Sequence, residues 1–377
     1  QLSNILKNLI NRKINYVIME ASSHGLSQNR LDGLLFDIGI FSNLSHDHLD
    51  YHKNMKNYLN SKLYLFEKLI KKRGSIISDA NIPEVKKIKN ISKKRGTNLS
   101  LIFKKENGID LISHKFSNEK QKLCIKFNNK KHEITINLIG KIQLKNILMA
   151  ILAAYKCGLK IDPILSIINK VKSVEGRLEK IGKIKNNSKV ILDYAHTPEA
   201  LELALLNLKA QFPDNKISLI FGCGGERDFK KRSIMGKIAE KLSDRIYLTD
   251  DNPRNENPSK IRSDIKKGIK KLKILEFPNR KKAIHEAIMK LKTGELLLVA
   301  GKGHEKTQDI GNKKIFFSDR KVILNAIKNK NIYLSDNLKL NVVKETAKIK
   351  KLSQYTSLKV ARINSQEVTK NDIFFCY

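Results

Sequence analysis

Short apolar runs rich in Ile, Leu, Val and Phe alternate along the chain with longer stretches of helical periodicity. That alternation predicts an α/β protein with a parallel sheet. Tyr16–Met19 and Ile38–Phe41 predict buried strands, each running into a polar loop. Asn57–Lys71 predicts a helix with Tyr58, Leu65 and Leu69 on one face. Ser75–Ser78 predicts a short strand, and Leu144–Cys157 an apolar helix. Leu123–Phe127 and Glu133–Leu138 predict a β-hairpin across Asn128-Asn129. A second α/β series starts near Val171, with strands at Val190–Asp193, Ile217–Phe221, Arg245–Thr249 and Glu295–Ala300. Its helices are predicted at Pro198–Ala210, Lys231–Leu242, Pro258–Leu272 and Arg280–Leu291. From about Asn337 the pattern changes: a Lys-rich stretch, Val343–Lys351, precedes two candidate strands, Leu358–Ile363 and Asp372–Phe375.

The 377 residues give room for two or three domains, and a hydrophobic fraction of 41% suits a folded chain. No apolar run approaches the roughly 18–20 residues needed to cross a bilayer, and Gln1–Lys13 does not read as a signal peptide. Cys124, Cys157, Cys223 and Cys376 are scattered and form no CxxC pair, which disfavours zinc and disulfide frameworks and fits a reducing cytosol. Lys and Arg total 74 against 37 acids, a net charge of +37. A nucleic-acid binder would concentrate that charge in a stripe with interleaved aromatics. Here the lysines run along the whole chain, so no nucleic-acid partner is expected.

Polar motifs follow most of the strands, where open α/β sheets bind their ligands. Glu20-Ala-Ser-Ser-His-Gly-Leu, with Gln28 and Arg30 behind it, offers a carboxylate to Mg²⁺ and donors to a diphosphate. Asn43-Leu-Ser-His-Asp-His-Leu-Asp-Tyr-His packs histidines and acids behind a strand without the HExxH spacing of a zinc protease. Asp193-Tyr-Ala-His-Thr-Pro sits at a strand-to-helix turn, its Asp able to accept from a ribose. Phe221-Gly-Cys-Gly-Gly-Glu-Arg-Asp, Asp250-Asp-Asn-Pro-Arg and Gly301-Lys-Gly-His-Glu set acids, amides, Arg227 and Arg254 around one sheet edge. Such a mixture suits an amino acid carrying both ammonium and carboxylate groups.

Each motif alone is weak, but their order and spacing from about residue 1 to 330 closely resemble the Mur ligases, specifically the muramyl-tripeptide synthetases. The resemblance implies a P-loop-type central ATPase domain at 1–172 and a Rossmann-like C-terminal domain at 173–333. It implies an ATP-dependent ligase that phosphorylates a substrate carboxylate and lets an amine attack the acyl phosphate. The substrates implied are UDP-N-acetylmuramoyl-L-alanyl-D-glutamate, meso-diaminopimelate and ATP, in a monomeric cytoplasmic enzyme. By resemblance, Glu20, His48 and Lys62 are catalytic and hold Mg²⁺, Lys62 as a carbamate. Ser22, Gln28 and Arg30 match contacts to the UDP-muramyl substrate, and Asn146, Arg177 and Asp193 match nucleotide contacts. Arg227, Asp251, Asn252, Pro253, Arg254, Gly301 and Glu305 match the pocket for the added amino acid. The Asp-Asn-Pro-Arg form goes with diaminopimelate, because a guanidinium fork binds the carboxylate that lysine lacks.

The family's Gly-Thr-Asn-Gly-Lys-Thr-type P-loop is absent, as is the domain before it, so the chain reads as part of a longer enzyme and as inactive by itself. Gly140-Lys-Ile-Gln stands where the family has Gly-x-Phe-Asn. The segment from 337 to 377, through Asn364-Ser-Gln-Glu-Val, resembles the opening of a second Mur ligase, the one that adds D-Ala-D-Ala. Other readings are a lysine-adding ligase, a folylpolyglutamate-synthase-like ligase and a non-catalytic basic binding protein.

Overall fold

A computed structural model describes residues 2–44, 48–104 and 108–347, with the short pairs 361–362 and 373–374. It is a mixed α/β structure divided into two compact units. The first comprises Gln1–His114, Leu123–Ile134 and Lys145–Ile167, and the second Lys115–Lys122, Thr135–Leu144 and Ile168–Tyr377. No helix among the described residues is long and apolar enough to cross a membrane.

The first sheet runs β1 (Phe36–Phe41), β2 (Ile70–Asp79), β3 (Asn98–Ile102), β4 (Gly108–Ser117), β5 (Lys120–Phe127) and β6 (Lys130–Ile136), in that order. Strands β1 to β4 pair in parallel. The expected hairpin is β5–β6, and Asn128 (φ 46°) and Asn129 (φ 62°) adopt the left-handed backbone its two-residue turn demands. Helices α1 (Leu2–Asn11), α2 (Ser23–Ser27), α3 (Leu49–His52), α4 (Met55–Tyr64), α5 (Val85–Arg95), α6 (Lys141–Lys156) and α7 (Ile161–Ile167) complete this half of the chain. Leu59, Leu63, Phe66, Ile70, Ile76 and Ile88 form the core between α4, α5 and the sheet.

Two expectations fail here. Tyr16–Met19 forms no strand: it is irregular, with Ile18 fully exposed. An apolar run becomes a buried strand only where neighbours take its N–H and C=O groups, and among the described residues no strand lies beside it. The helix predicted over Asn57–Lys71 stops being α-helical at Tyr64, passes through a π turn (Leu65–Leu69) and gives way to β2 at Ile70. The π turn lets Leu65, Phe66 and Leu69 all face the core.

The second unit holds β7 (Glu179–Lys180), β8 (Lys189–Asp193), β9 (Ile217–Phe221), β10 (Arg245–Thr249), β11 (Ile274–Phe277) and β12 (Leu296–Ala300), in sheet order β11-β10-β9-β12-β8-β7. Only β7 is antiparallel to its neighbour. The central strands β8, β9, β10 and β12 are mostly apolar because both faces are covered. Ile191, Leu219 and Leu298 pack on one side with α8 (Pro198–Gln211), α9 (Lys230–Leu242) and α10 (Pro258–Lys266). Val190, Leu192, Ile220, Leu297 and Val299 pack on the other with α11 (Arg280–Lys290) and α12 (Asp319–Ala347). A small hairpin, β13 (Thr307–Ile310) and β14 (Lys313–Phe316), follows β12. The edge strand β11 was not legible in the sequence. Helix α12 runs through Asn337, where a change of structure was expected, and no Gly or Pro interrupts it. Ala361–Arg362 pairs in parallel with Ile373–Phe374 as β15 and β16, while the rest of the tail motif lies outside the described residues.

Helix α10 ends at Lys266 and not at Leu272 because the chain must pass close to α9. A Cβ on Gly268 would lie 1.9 Å from the Ser233 carbonyl oxygen, and one on Gly236 2.2 Å from that of Ile265. Gly236→Ala is therefore expected to force the helices apart and destabilise the protein by about 1–3 kcal/mol. It should lower the urea midpoint without changing the slope, and a wild-type midpoint would show that the helices can separate at no cost.

Candidate functional site

In the first unit, the loops before α2 and α3 and the end of α4 form one polar cluster. Ser22 caps α2 by accepting from the Gly25 amide at 3.2 Å. Gln28 donates to Tyr51 Oη at 3.0 Å, and Ser27 lies 2.8 Å from the same hydroxyl. His24 meets Tyr51 at 4.2 Å and His48 at 4.9 Å between ring centroids. His52 is buried, stacks on Tyr58 at 5.0 Å, and lies 2.9 Å from Ser23 Oγ through Nε2 and 3.4 Å from Ser61 Oγ through Nδ1. It thereby ties α2, α3 and α4 together. Lys62, one residue past Ser61, donates to the Asn43 carbonyl at 2.8 Å and lies 4.9 Å from the Tyr58 ring centroid. His48 reaches that ring at 6.0 Å from a left-handed backbone (φ 55°). Lys62 and His48 thus flank Tyr58, and Ser22 and Gln28 belong to the adjoining cluster.

Glu20 and Arg30 are exposed on either side of α2, and Glu20 makes no ion pair among the described residues. Asn146 is exposed on α6. Ser45, His46 and Asp47 lie outside the described residues. Among the described residues no group of three or more His, Cys, Asp or Glu side chains could hold a metal ion. As an ammonium, Lys62 repels Mg²⁺. The donor set suits that ion only if the amine becomes an anionic oxygen ligand.

In the second unit the site grows from the carboxyl ends of β8, β9, β10 and β12. Asp193 is buried, and its two carboxylate oxygens accept from the Leu178 and Ala195 amides at 2.7 and 2.8 Å. Burial pushes its carboxyl above the usual range against those two bonds. The staple holds Arg177 near Tyr194, with the guanidinium 4.8 Å from the ring, which also meets His196 at 4.6 Å and His304 at 5.1 Å.

The glycine loop after β9 lies against the Asp251–Arg254 loop after β10. Gly224 is within 3.0 Å of Arg254 Nη1 and 3.8 Å of Arg227 Cγ, measured from the place its Cβ would take. Arg254 donates from Nη1 to the Gly225 carbonyl at 2.7 Å, and Asn252 donates to Glu305 Oε2 at 3.0 Å. The buried Cys223 thiol, pushed up to about 12 by burial, is an inert part of the loop floor. Pro253 and Gly301 are buried, and Gly301 (φ 116°) packs against Asp251 Oδ2. The second unit therefore brings together Arg227, Asp251, Asn252, Pro253, Arg254, Gly301 and Glu305, with Asp193 and Arg177 at the neighbouring strand end.

Several supporting residues escaped the sequence reading. Arg232 is buried under the glycine loop, donates to both Glu256 oxygens at 2.6 Å and to Asp264 at 3.2 Å, and fixes the loop from below. Arg280 is buried too, as is Lys302, which stood in the Gly301-Lys-Gly-His-Glu motif but was given no role there. A buried arginine inside a charged helix has no sequence signature in so basic a chain. Tyr51 and His52, in contrast, stood inside a motif already singled out.

Residues 1–154 match the Mur ligase middle domain, and residues 176–303 the Mur ligase, glutamate ligase domain. The UDP-N-acetylmuramoyl-L-alanyl-D-glutamate–2,6-diaminopimelate ligase of Rickettsia montanensis is 41% identical over 325 residues, which are 86% of this chain and 67% of that protein. The ligase of the same description from Buchnera aphidicola subsp. Schizaphis graminum is 40% identical, across 85% of this chain and 65% of its own length. A solved structure of such a diaminopimelate ligase is 29% identical with a TM-score of 0.58, over 82% of this chain and 64% of that one. The chain thus spans about two thirds of the length of the relatives it matches.

Arg232→Met leaves Glu256 without its ion-pair partner among the described residues and Asp264 with Lys267 alone. A loss of about 3 kcal/mol is expected, the low end for breaking a buried pair because both acids keep some water. Urea denaturation measures it, and a loss under about 0.5 kcal/mol would show that the network contributes no more than a surface ion pair.

Proposed function

The chain belongs to the Mur ligase family, and from that premise we propose that the intact protein joins meso-diaminopimelate to UDP-N-acetylmuramoyl-L-alanyl-D-glutamate with ATP, in the cytoplasm, for peptidoglycan precursor synthesis. The observation that carries the reading is the cluster in the second unit. Arg227 and Arg254 supply cationic forks beside Gly224 and Gly225, and Asn252 and Glu305 supply an amide and an anion alongside. Diaminopimelate carries two ammonium and two carboxylate groups, so it can satisfy both halves of such a cluster. Lysine would leave a guanidinium unpaired in a partly desolvated site.

The chemistry divides into two balanced steps. The substrate carboxylate takes the γ-phosphoryl group of ATP, releasing ADP. A neutral amine then attacks the acyl carbon, phosphate leaves with the bonding electron pair, and the amine nitrogen sheds a proton. Ser22, Gln28 and Arg30 would hold the UDP-muramyl substrate, and Asn146, Arg177 and Asp193 the nucleotide. Mg²⁺ would be held by Glu20, His48 and Lys62 once Lys62 carries CO₂ as a carbamate, and bound there it would neutralise phosphate charge. The Tyr58 ring and the Asn43 carbonyl orient the Lys62 side chain from either side.

Amino-acid-dependent ATP hydrolysis by the protein at its full natural length, given the UDP-muramyl dipeptide, tests the reading. Turnover with diaminopimelate and little with lysine is expected. Arg254→Ala should raise the KM for diaminopimelate by about 10–100-fold, the effect of losing one charge-assisted fork, with the KM for ATP within about twofold of wild type. Turnover with lysine alone, or equal losses for both substrates, would overturn the assignment.

A further inference from the structure

Lys302 has no part in the chemistry described so far, yet it is fully buried and bonded to two residues of the amino-acid cluster. Its ammonium donates to Asn252 Oδ1 at 2.8 Å and to Glu305 Oε2 at 2.7 Å. Asn252 donates to the same Glu305 oxygen at 3.0 Å. Glu305 Oε2 therefore has its two donors, while Oε1 accepts no hydrogen bond from the described residues, and the side chain keeps 31% of its exposure. One oxygen of this carboxylate is spoken for, and the other faces outward.

Charges alternate behind the pair. Asp319, fully buried, takes two hydrogen bonds from Arg280 at 2.8 and 2.7 Å, and Arg280 also donates to the Ala300 carbonyl at 2.9 Å. Arg280 Nη1 lies 3.9 Å from Asp251 Oδ2. Burial pushes the Asp251 carboxyl up, while Arg280 and Lys302 oppose that. Asp319, Arg280 and Asp251 thus alternate in sign, and the Lys302–Glu305 pair lies within electrostatic reach of Asp251. An ammonium of zero exposure must keep such partners to remain charged.

We propose that Lys302 is a positioning residue for the added amino acid: by occupying Oε2 it orients the Glu305 carboxylate so that Oε1 receives the ammonium group that does not react. The inference rests on the amino-acid-site reading given under Proposed function. The attacking amine must be neutral with its lone pair free, so a carboxylate would hinder it by holding it protonated. The ammonium at the far end of diaminopimelate has no such need, and a fixed carboxylate is the acceptor it requires. Burial favours the neutral form of Glu305, but the hydrogen bond and charge of Lys302 outweigh that, with Asn252 and His196 adding to the effect, and hold the carboxyl below its usual range.

Calorimetric titration of the full-length protein, saturated with the UDP-muramyl dipeptide and a non-hydrolysable ATP analogue, tests the proposal. The two ligands are meso-diaminopimelate and 2-aminopimelate, which lacks one ammonium. Lys302→Met should raise the Kd for diaminopimelate about tenfold or more, the size of one charge-assisted hydrogen bond. The Kd for 2-aminopimelate should stay within about twofold, and Lys302→Arg should recover most of the loss. If Lys302→Met does not fold, Lys302→Gln, which keeps a donor and drops the charge, is titrated in its place with the same expectation. Unchanged diaminopimelate affinity, or equal weakening for both ligands, overturns the positioning role. Failure of the wild-type protein to bind either ligand overturns the amino-acid site itself.

Discussion

Three cations, Arg232, Arg280 and Lys302, lie buried beneath the loops of the second unit, and none can stay charged there without an anion in contact. This requirement sets the shape of everything above them. Arg232 draws Glu256 and Asp264 under the glycine loop, Arg280 fastens α11 to Asp319 at the start of α12, and Lys302 fastens Asn252 to Glu305. The sheet supplies the strand ends, but strands alone leave their loops free to move. Buried ion pairs restrict those loops to one arrangement, because any other would strand a charge in a medium of low dielectric constant. They contribute to uniqueness more than to net stability, since the desolvation of both partners offsets most of the attraction.

Much of this architecture could be read from the sequence, for reasons tied to local physics. The strands β8, β9, β10 and β12 are mostly apolar because helices cover both faces, and such runs are readable whatever their neighbours. Asn128-Asn129 announced its hairpin because both residues tolerate positive φ. The edge strand β11 was missed because Ile274–Phe277 carries a mixed, half-buried pattern. Tyr16–Met19 was misread because apolar composition says nothing about whether hydrogen-bonding neighbours exist. The same division holds at the site. Arg227, Arg254, Asn252 and Glu305 stood in short motifs and meet in one place, whereas Arg232 and Arg280 lay outside them, and even Lys302, inside one, acts through burial, which a basic chain conceals.

The first unit solves a different problem with aromatic rings. Tyr58 is buried between His52, stacked on it at 5.0 Å, and Lys62, whose ammonium lies 4.9 Å from its centroid. A ring face attracts a cation and tolerates a neutral or anionic neighbour beside its edge. The Tyr58 ring and the Asn43 carbonyl thus both help to place the Lys62 side chain.

Arg254 shows how far the fold goes to aim a single side chain. Its backbone is left-handed (φ 52°), a conformation that costs a residue with a Cβ about 1–2 kcal/mol. The strain persists because the β13–β14 hairpin grips the residue from both sides: the Arg254 amide donates to the Asp309 carbonyl at 3.0 Å, and the Gly311 amide donates to the Arg254 carbonyl at 2.7 Å. Pro253, immediately before it, removes one backbone donor and narrows the conformations the loop can try. With the main chain held in this way, the guanidinium reaches back across Gly224, where any side chain would meet it, to the Gly225 carbonyl. Only one of its donor groups is used there, so the rest of the fork stays available to a carboxylate. The conformational cost is met by two backbone hydrogen bonds outside the site, and the side chain enters the site already oriented.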